Sequence, residues 1–132
     1  GTDDIMAVIH KLPTDRFRIL PSMRFSHFSE LMKNAACIVG NSSAGVREAP
    51  FLSIPSLDVG TRQNGRARSA SVTSARAEER DRISAFLEQD WGKRYPANDD
   101  FGQGSASERF VEIMGQDTFW RAKLQKVFAD HA

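Results

Sequence analysis

Ala36-Cys37-Ile38-Val39-Gly40-Asn41-Ser42-Ser43-Ala44-Gly45-Val46-Arg47-Glu48 is the stretch that decides the fold. Its first four residues are a continuous apolar run, the pattern of a strand buried on both faces of a parallel sheet. A loop of small and polar residues follows, then a short helix expected to end near Phe51. Upstream, Ser26 is placed to cap a helix whose apolar face is Phe28, Leu31, Met32 and Ala35. Phe17 to Leu20 reads as a short strand ended by Pro21. Before it, Thr2, Asp3 and Asp4 suit a helix start, and Ile5, Met6, Val8, Ile9 and Leu12 form a stripe at helical spacing that Pro13 stops. Downstream, Ser56-Leu57-Asp58-Val59 is a further strand, ended by Gly60. Helix and strand alternate with short connections, which predicts an α/β fold: a parallel sheet covered by helices.

Beyond Gly60 the pattern loosens. Ser71-Val72-Thr73 is a short strand candidate, and Ala77 to Gln89 is an amphipathic helix through Ile83, Phe86 and Leu87. Ser105 and Glu108 have capping-box spacing and open a helix through Phe110, Val111, Ile113 and Met114, which Gly115 breaks. A last helix runs from Asp117 through Phe119, Trp120, Leu124, Val127 and Phe128. The chain opens on a helix where a parallel sheet would open on a strand. It therefore reads as the tail of a longer protein, or Gly1 as a tag remnant.

The 132 residues suffice for one domain with a core, read as a single unit over 1–132 with C-terminal helices from about 105. A net charge of +1 creates no global field that would recruit nucleic acid or an anionic membrane. No apolar stretch approaches the roughly 20 residues of a membrane span. The single cysteine, Cys37, has no internal disulfide partner, which together with the acidic start points to a reduced, cytoplasmic setting. His10, His27 and His131 lack metal-ligand spacing, so no metal or other cofactor is expected.

Three loops are candidate sites. The Asn41-Ser42-Ser43-Ala44-Gly45 loop joins a strand to a helix, where unpaired backbone N–H groups, two hydroxyls and small residues can converge on a phosphate. Spacing alone leaves a second reading open, in which Asn41 or Ser42 simply caps the helix. Glu48, on that helix, either compensates the helix dipole or accepts hydrogen bonds from the vicinal hydroxyls of a ribose. Arg47 beside it pairs with a carboxylate or is solvated. The second loop, Gly60-Thr61-Arg62-Gln63-Asn64-Gly65-Arg66, should leave the same sheet edge, with Arg62 able to clamp a phosphate. The arginines between Arg62 and Arg82 are diluted by Glu78, Glu79 and Asp81 and have no interleaved aromatics, so Arg76, Arg80 and Arg82 read as a solvated face. The third, Phe101-Gly102-Gln103-Gly104-Ser105-Ala106-Ser107, reads equally as a flexible link.

In order and register, Gly40 to Pro50, Pro55, Gly60-Thr61-Arg62-Gln63, Gly65-Arg66, Trp91 to Pro96 and Phe101 to Gly104 resemble the UDP-N-acetylglucosamine 2-epimerases, nearest the hydrolysing type of sialic-acid pathways. The resemblance runs from about Phe17 to Met114. It implies most of the second, Rossmann-like domain of a glycosyltransferase-B-type fold, truncated at its N-terminus. It implies that UDP or UDP-N-acetylglucosamine is bound, with Ser42 and Ser43, followed by Ala44 and Gly45, at the diphosphate, Glu48 at the ribose, Arg62 lining the site and the Met23 backbone passing the uracil. The family's catalytic carboxylates and histidine match no position here, so no residue is assigned a catalytic role and the chain by itself is expected to be inactive. Gly65-Arg66-Ala67 and Gly102-Gln103-Gly104 depart from the Gly-Arg-Glu and Gly-Asp-Gly that the family often carries. Two other classes fit the same residues: a glycosyltransferase of the same architecture, and a non-enzymatic nucleotide- or partner-binding module. A sheet lacking its leading strands would expose an edge, which predicts self-association as a homo-oligomer.

Overall fold

The computed structural model describes residues 1–66 and 69–121. Within them, three strands form a parallel sheet in the order β1 (Ile38–Gly40), β2 (Ser56–Val59), β3 (Val72–Ala75). The helices are α1 (Thr2–Ile9), α2 (Phe25–Lys33), α3 (Ser43–Val46), α4 (Glu48–Phe51), α5 (Arg80–Asp90), α6 (Ala106–Met114) and α7 (Asp117–Trp120). The expected α/β class with flanking helices is what the chain adopts.

β2 is central. Ile38 pairs with Ser56 and Gly40 with Asp58 on one side, and Ser56 with Val72 through Val59 with Ala75 on the other. Alternation along β2 sends Leu57 and Val59 to one face and Ser56 and Asp58 to the other. On the Leu57 face, Leu57, Ala75 and Phe86 make a core against which Cys37, Val59 and Ile83 pack. On the other, α2, α3 and α4 bring Met32, Ala44 and Ala49 together with Ile54, flanked by Phe28, Ile38 and Leu52. Burial pushes the Cys37 thiol above its ordinary range, which keeps it a protonated packing group.

α3 lies close on β2 because Gly45 has no side chain. A Cβ there would stand 2.6 Å from Ser56 Oγ, inside van der Waals contact. α3 and α4 are two four-residue turns broken at Arg47 (φ −114°, ψ −60°). After α4 the chain reverses through Ser53, at φ 64°, the left-handed position that often closes a helix.

Several expected details fall elsewhere. Phe17 to Leu20 joins no strand ladder among the described residues and stays exposed, beyond a turn in which Phe17 N–H bonds Pro13. α2 begins at Phe25 with Arg24 as its cap, ahead of Ser26, and α1 is preceded by Gly1 and ends at Ile9, short of Leu12. β1 is not buried on both faces: Val39 is 50% exposed, because β1 has a single strand neighbour among the described residues. Ser105 does precede α6, but its side chain makes no capping bond, and Phe110, Val111 and Ile113 are exposed. Leu124, Val127 and Phe128 lie outside the described residues.

Gly45→Ala should lower stability by about 1–2 kcal/mol through overpacking against Ser56. Adding Ser56→Ala should recover part of that loss, since the nearest remaining Ser56 atom is its Cβ at 3.9 Å. Denaturant midpoints of the two variants provide the check, and equal midpoints for Gly45→Ala and the parent would contradict the close approach.

Candidate functional site

Parallel pairing brings the C-terminal ends of β1 and β2 to one edge, since Gly40 faces Asp58 in register. The serine loop leaves that edge after Gly40, and the Thr61–Arg66 loop leaves it after Gly60. Gly40 takes φ +152°, inside the region that L side chains rarely adopt, and thereby turns the chain from strand to loop. Ser42 is the cap of α3, its Oγ accepting from Ala44 N–H at 3.3 Å. The capping reading of the loop is therefore realised, and the Ser42 hydroxyl proton remains free to donate. Ser42 is exposed, Ser43 half-buried, and Ala44 and Gly45 buried beneath them.

The two loops are tied together. Gln63, 3% exposed amid exposed neighbours, donates from Nε2 to the Asn41 carbonyl at 2.8 Å. Arg62 stands exposed beside it at the start of the second loop. Three buried oxygens have no hydrogen-bond partner among the described residues: Glu48 Oε2, Asp58 Oδ1 and Gln63 Oε1. All three sit on elements at or just beyond the C-terminal end of β2 or the start of α4. Of these residues Glu48 lines a groove. Asp58 is 2% exposed, and burial holds its carboxyl above the ordinary carboxylate range.

A groove of about 480 Å³ opens beside Glu48, walled by Phe25, Ser29, Arg47, Phe51, Leu52, Asn98 and Phe101. Met23 lines a neighbouring hollow of about 490 Å³ that shares Phe25 with the groove. The structure thus gathers Glu48 and the Met23 segment around adjoining hollows and ties the Arg62 loop to the serine loop.

The segment after α5 forms one wall. Gly92 N–H bonds Ala36, Tyr95 N–H bonds Ser53 and Asn98 N–H bonds Pro50, each at 3.1 Å. Arg94 adds a bond to the Ala35 carbonyl at 3.1 Å. The Tyr95 hydroxyl donates to Asp90, a bond that, with Lys93 nearby, holds the Asp90 carboxyl below its ordinary range. This strap delivers Phe101 to the Arg47 guanidinium, 5.1 Å from the ring centroid. The Gly-rich loop is therefore part of the groove, where its sequence had equally supported a mere link. Phe101 and Gln63 lie in the candidate loops and in the family register, but sequence assigns neither a role of its own. The lone aromatic beside the glycines is the signal for Phe101, and the register is the signal for Gln63.

Among the described residues no helix is long and apolar enough to cross a membrane. The family model described as UDP-N-acetylglucosamine 2-epimerase matches residues 1–115. The UDP-N-acetylglucosamine 2-epimerase of Neisseria meningitidis serogroup B is 38% identical over 133 residues, covering 98% of this chain and 35% of the relative. The polysialic acid biosynthesis protein P7 of Escherichia coli is 40% identical over 57 residues, 43% of this chain and 15% of the relative. The GDP/UDP-N,N'-diacetylbacillosamine 2-epimerase (hydrolyzing) of Campylobacter jejuni is 31% identical over 71 residues, 54% of this chain and 18% of the relative. The chain spans at most about a third of the length of these relatives.

Asp58 sets a pH dependence whose sign follows from its raised carboxyl. Below the ordinary carboxylate range both folded and unfolded chains hold the proton, and stability is complete. As pH rises, the unfolded chain releases its proton first, so stability falls until the folded carboxyl has also ionised. Asp58→Asn, which has no proton to release, should remove that fall and give a flatter stability profile between the ordinary carboxylate range and neutral pH. Thermal midpoints measured from acid to neutral pH test this; parallel profiles for parent and variant would count against it.

Proposed function

This chain belongs to the UDP-N-acetylglucosamine 2-epimerase family, and on that premise we propose that it forms the UDP-binding half of a sugar-nucleotide 2-epimerase, of the hydrolysing type. The observation that carries the proposal is the half-buried Glu48, which lines the groove on the turn after α3 and whose carboxylate oxygen Oε2 has no donor among the described residues. A ribose offers two vicinal hydroxyl donors, which a carboxylate lining the groove is suited to accept. Ser42 and Ser43, with the backbone at Ala44 and Gly45, take the diphosphate; Arg62 supplies positive charge from the neighbouring loop; the Met23 backbone passes the uracil.

In the reaction a base removes the proton on sugar C2 and the bond from C1 to the UDP oxygen breaks. UDP departs with the electron pair and a glycal remains, to which water adds on the path to N-acetylmannosamine. The role of these 132 residues is to grip the leaving group. The acid–base groups have no counterpart among them, so the whole protein's activity depends on residues elsewhere and the isolated chain is inactive. A Rossmann-like second domain of a glycosyltransferase-B-type fold, working in the cytoplasm, is the setting that fits this role.

UDP titrated calorimetrically into the 132-residue chain should give a binding isotherm. Glu48→Gln should cost about 1.5–3 kcal/mol of that affinity, the range for hydrogen bonds to charged groups. Ser43→Ala should cost less, because backbone donors persist. An unchanged affinity in Glu48→Gln would reduce Glu48 to a helix-dipole residue and remove the main support for the assignment.

A further inference from the structure

Arg47 is the cation closest in sequence to Glu48, and a guanidinium readily forks two hydrogen bonds onto a carboxylate. Such a pair would occupy the lone pairs that a ligand hydroxyl needs. No ion pair between them forms among the described residues. Arg47 instead stacks on Phe101 at 5.1 Å, and the carboxylate of the half-buried Glu48 has an oxygen, Oε2, with no donor among the described residues. Both side chains line the same groove, so the alternative pairing lies within one site. Phe101 is not placed there by chance: the strap that carries it is bonded to Ala36, Pro50 and Ser53 ahead of the ring.

We propose that Phe101 is a positioning residue that holds Arg47 by a cation–π contact and so keeps the Glu48 carboxylate open to ligand. The proposal rests on the reading of Glu48 as the acceptor for ribose hydroxyls. It assigns the Gly-rich loop a part in ligand binding without a contact to the ligand.

The test has two arms on the full 132-residue chain. In the first, without nucleotide, NMR follows the Arg47 side chain. In the parent its Nε–H resonance should carry a ring-current shift from Phe101. In Phe101→Ala that shift should vanish and contacts from Arg47 to the Glu48 side chain should appear. If they do not appear, the proposal fails whether or not UDP binds. In the second arm, UDP affinity should fall about threefold to tenfold in Phe101→Ala, the scale of a cation–π contact. Phe101→Tyr and Phe101→Trp, which keep a π face, should restore it. In an Arg47→Ala background, Phe101→Ala should have no effect on affinity. An equal loss in both backgrounds would show that Phe101 acts on the ligand or on the fold, and would overturn the proposal. A parent that binds no UDP while the first arm behaves as expected would defeat the nucleotide reading alone.

Discussion

Gly45 against Ser56 is the contact on which the site depends. A helix of four residues has no stability of its own, because a single turn fixes several dihedrals for one or two hydrogen bonds. α3 exists because its Ala44, Gly45 and Val46 are pressed into the sheet, and it can come that close because one of them lacks a Cβ. Its start is then fixed relative to β2, and the serine loop inherits that position. Gln63 adds the lateral tie through Asn41, so the loop is held from below and from the side before any ligand arrives. A binding loop ordered in advance loses less entropy when it binds, which favours affinity without further contacts.

The same end of the molecule carries its least satisfied polar groups. Buried acceptors without donors are uncommon in folded proteins, and each costs free energy. Among the described residues Glu48, Asp58 and Gln63 each hold one, while the Leu57 face of the sheet is an apolar core. Unpaired buried acceptors gathered near one edge are a local inconsistency of the kind found at functional sites. It also separates the residues by role. Leu57 and Phe86 serve the fold, and Glu48 has a disposition that the fold does not explain.

The parts legible in sequence are those where chemistry is local. Strand β2, the loop after Gly40 and the end of α4 near Phe51 follow from a short apolar run, a capping serine and the breaks that bound them. For Ser43, Glu48 and Arg62 spacing leaves the role open, and the family resemblance is what suggests the roles proposed for them. What escaped depends on neighbours distant in sequence. An apolar run such as Cys37-Ile38-Val39 reads identically in a central and an edge strand, so Val39 looked buried. Phe17 to Leu20 has a strand's composition, yet a strand exists only when another backbone accepts its bonds. Ser26 has the chemistry of a cap, but α2 starts two residues ahead of that expectation, at Phe25 with Arg24 as its cap. The contact of Phe101 with Arg47 has no periodicity to announce it, because a strap anchored on three other segments creates it.

The two faces of β2 therefore tolerate change differently. On the Leu57 face an eleven-residue helix, α5, covers the sheet, and losses there should appear as global instability. On the Ser56 face α2 packs together with two four-residue turns, α3 and α4, that continue from the serine loop and are pressed close by small buried residues, Ala44, Gly45 and Ala49. Enlarging any of these lifts the turns from the sheet while the opposite core remains intact. The loop and the Glu48 carboxylate would move apart from the strand ends that align them, so ligand geometry would fail before cooperative unfolding does. That ordering follows from placing the groups proposed to face the ligand on the segments with the least helical stability of their own and letting the sheet supply the rest.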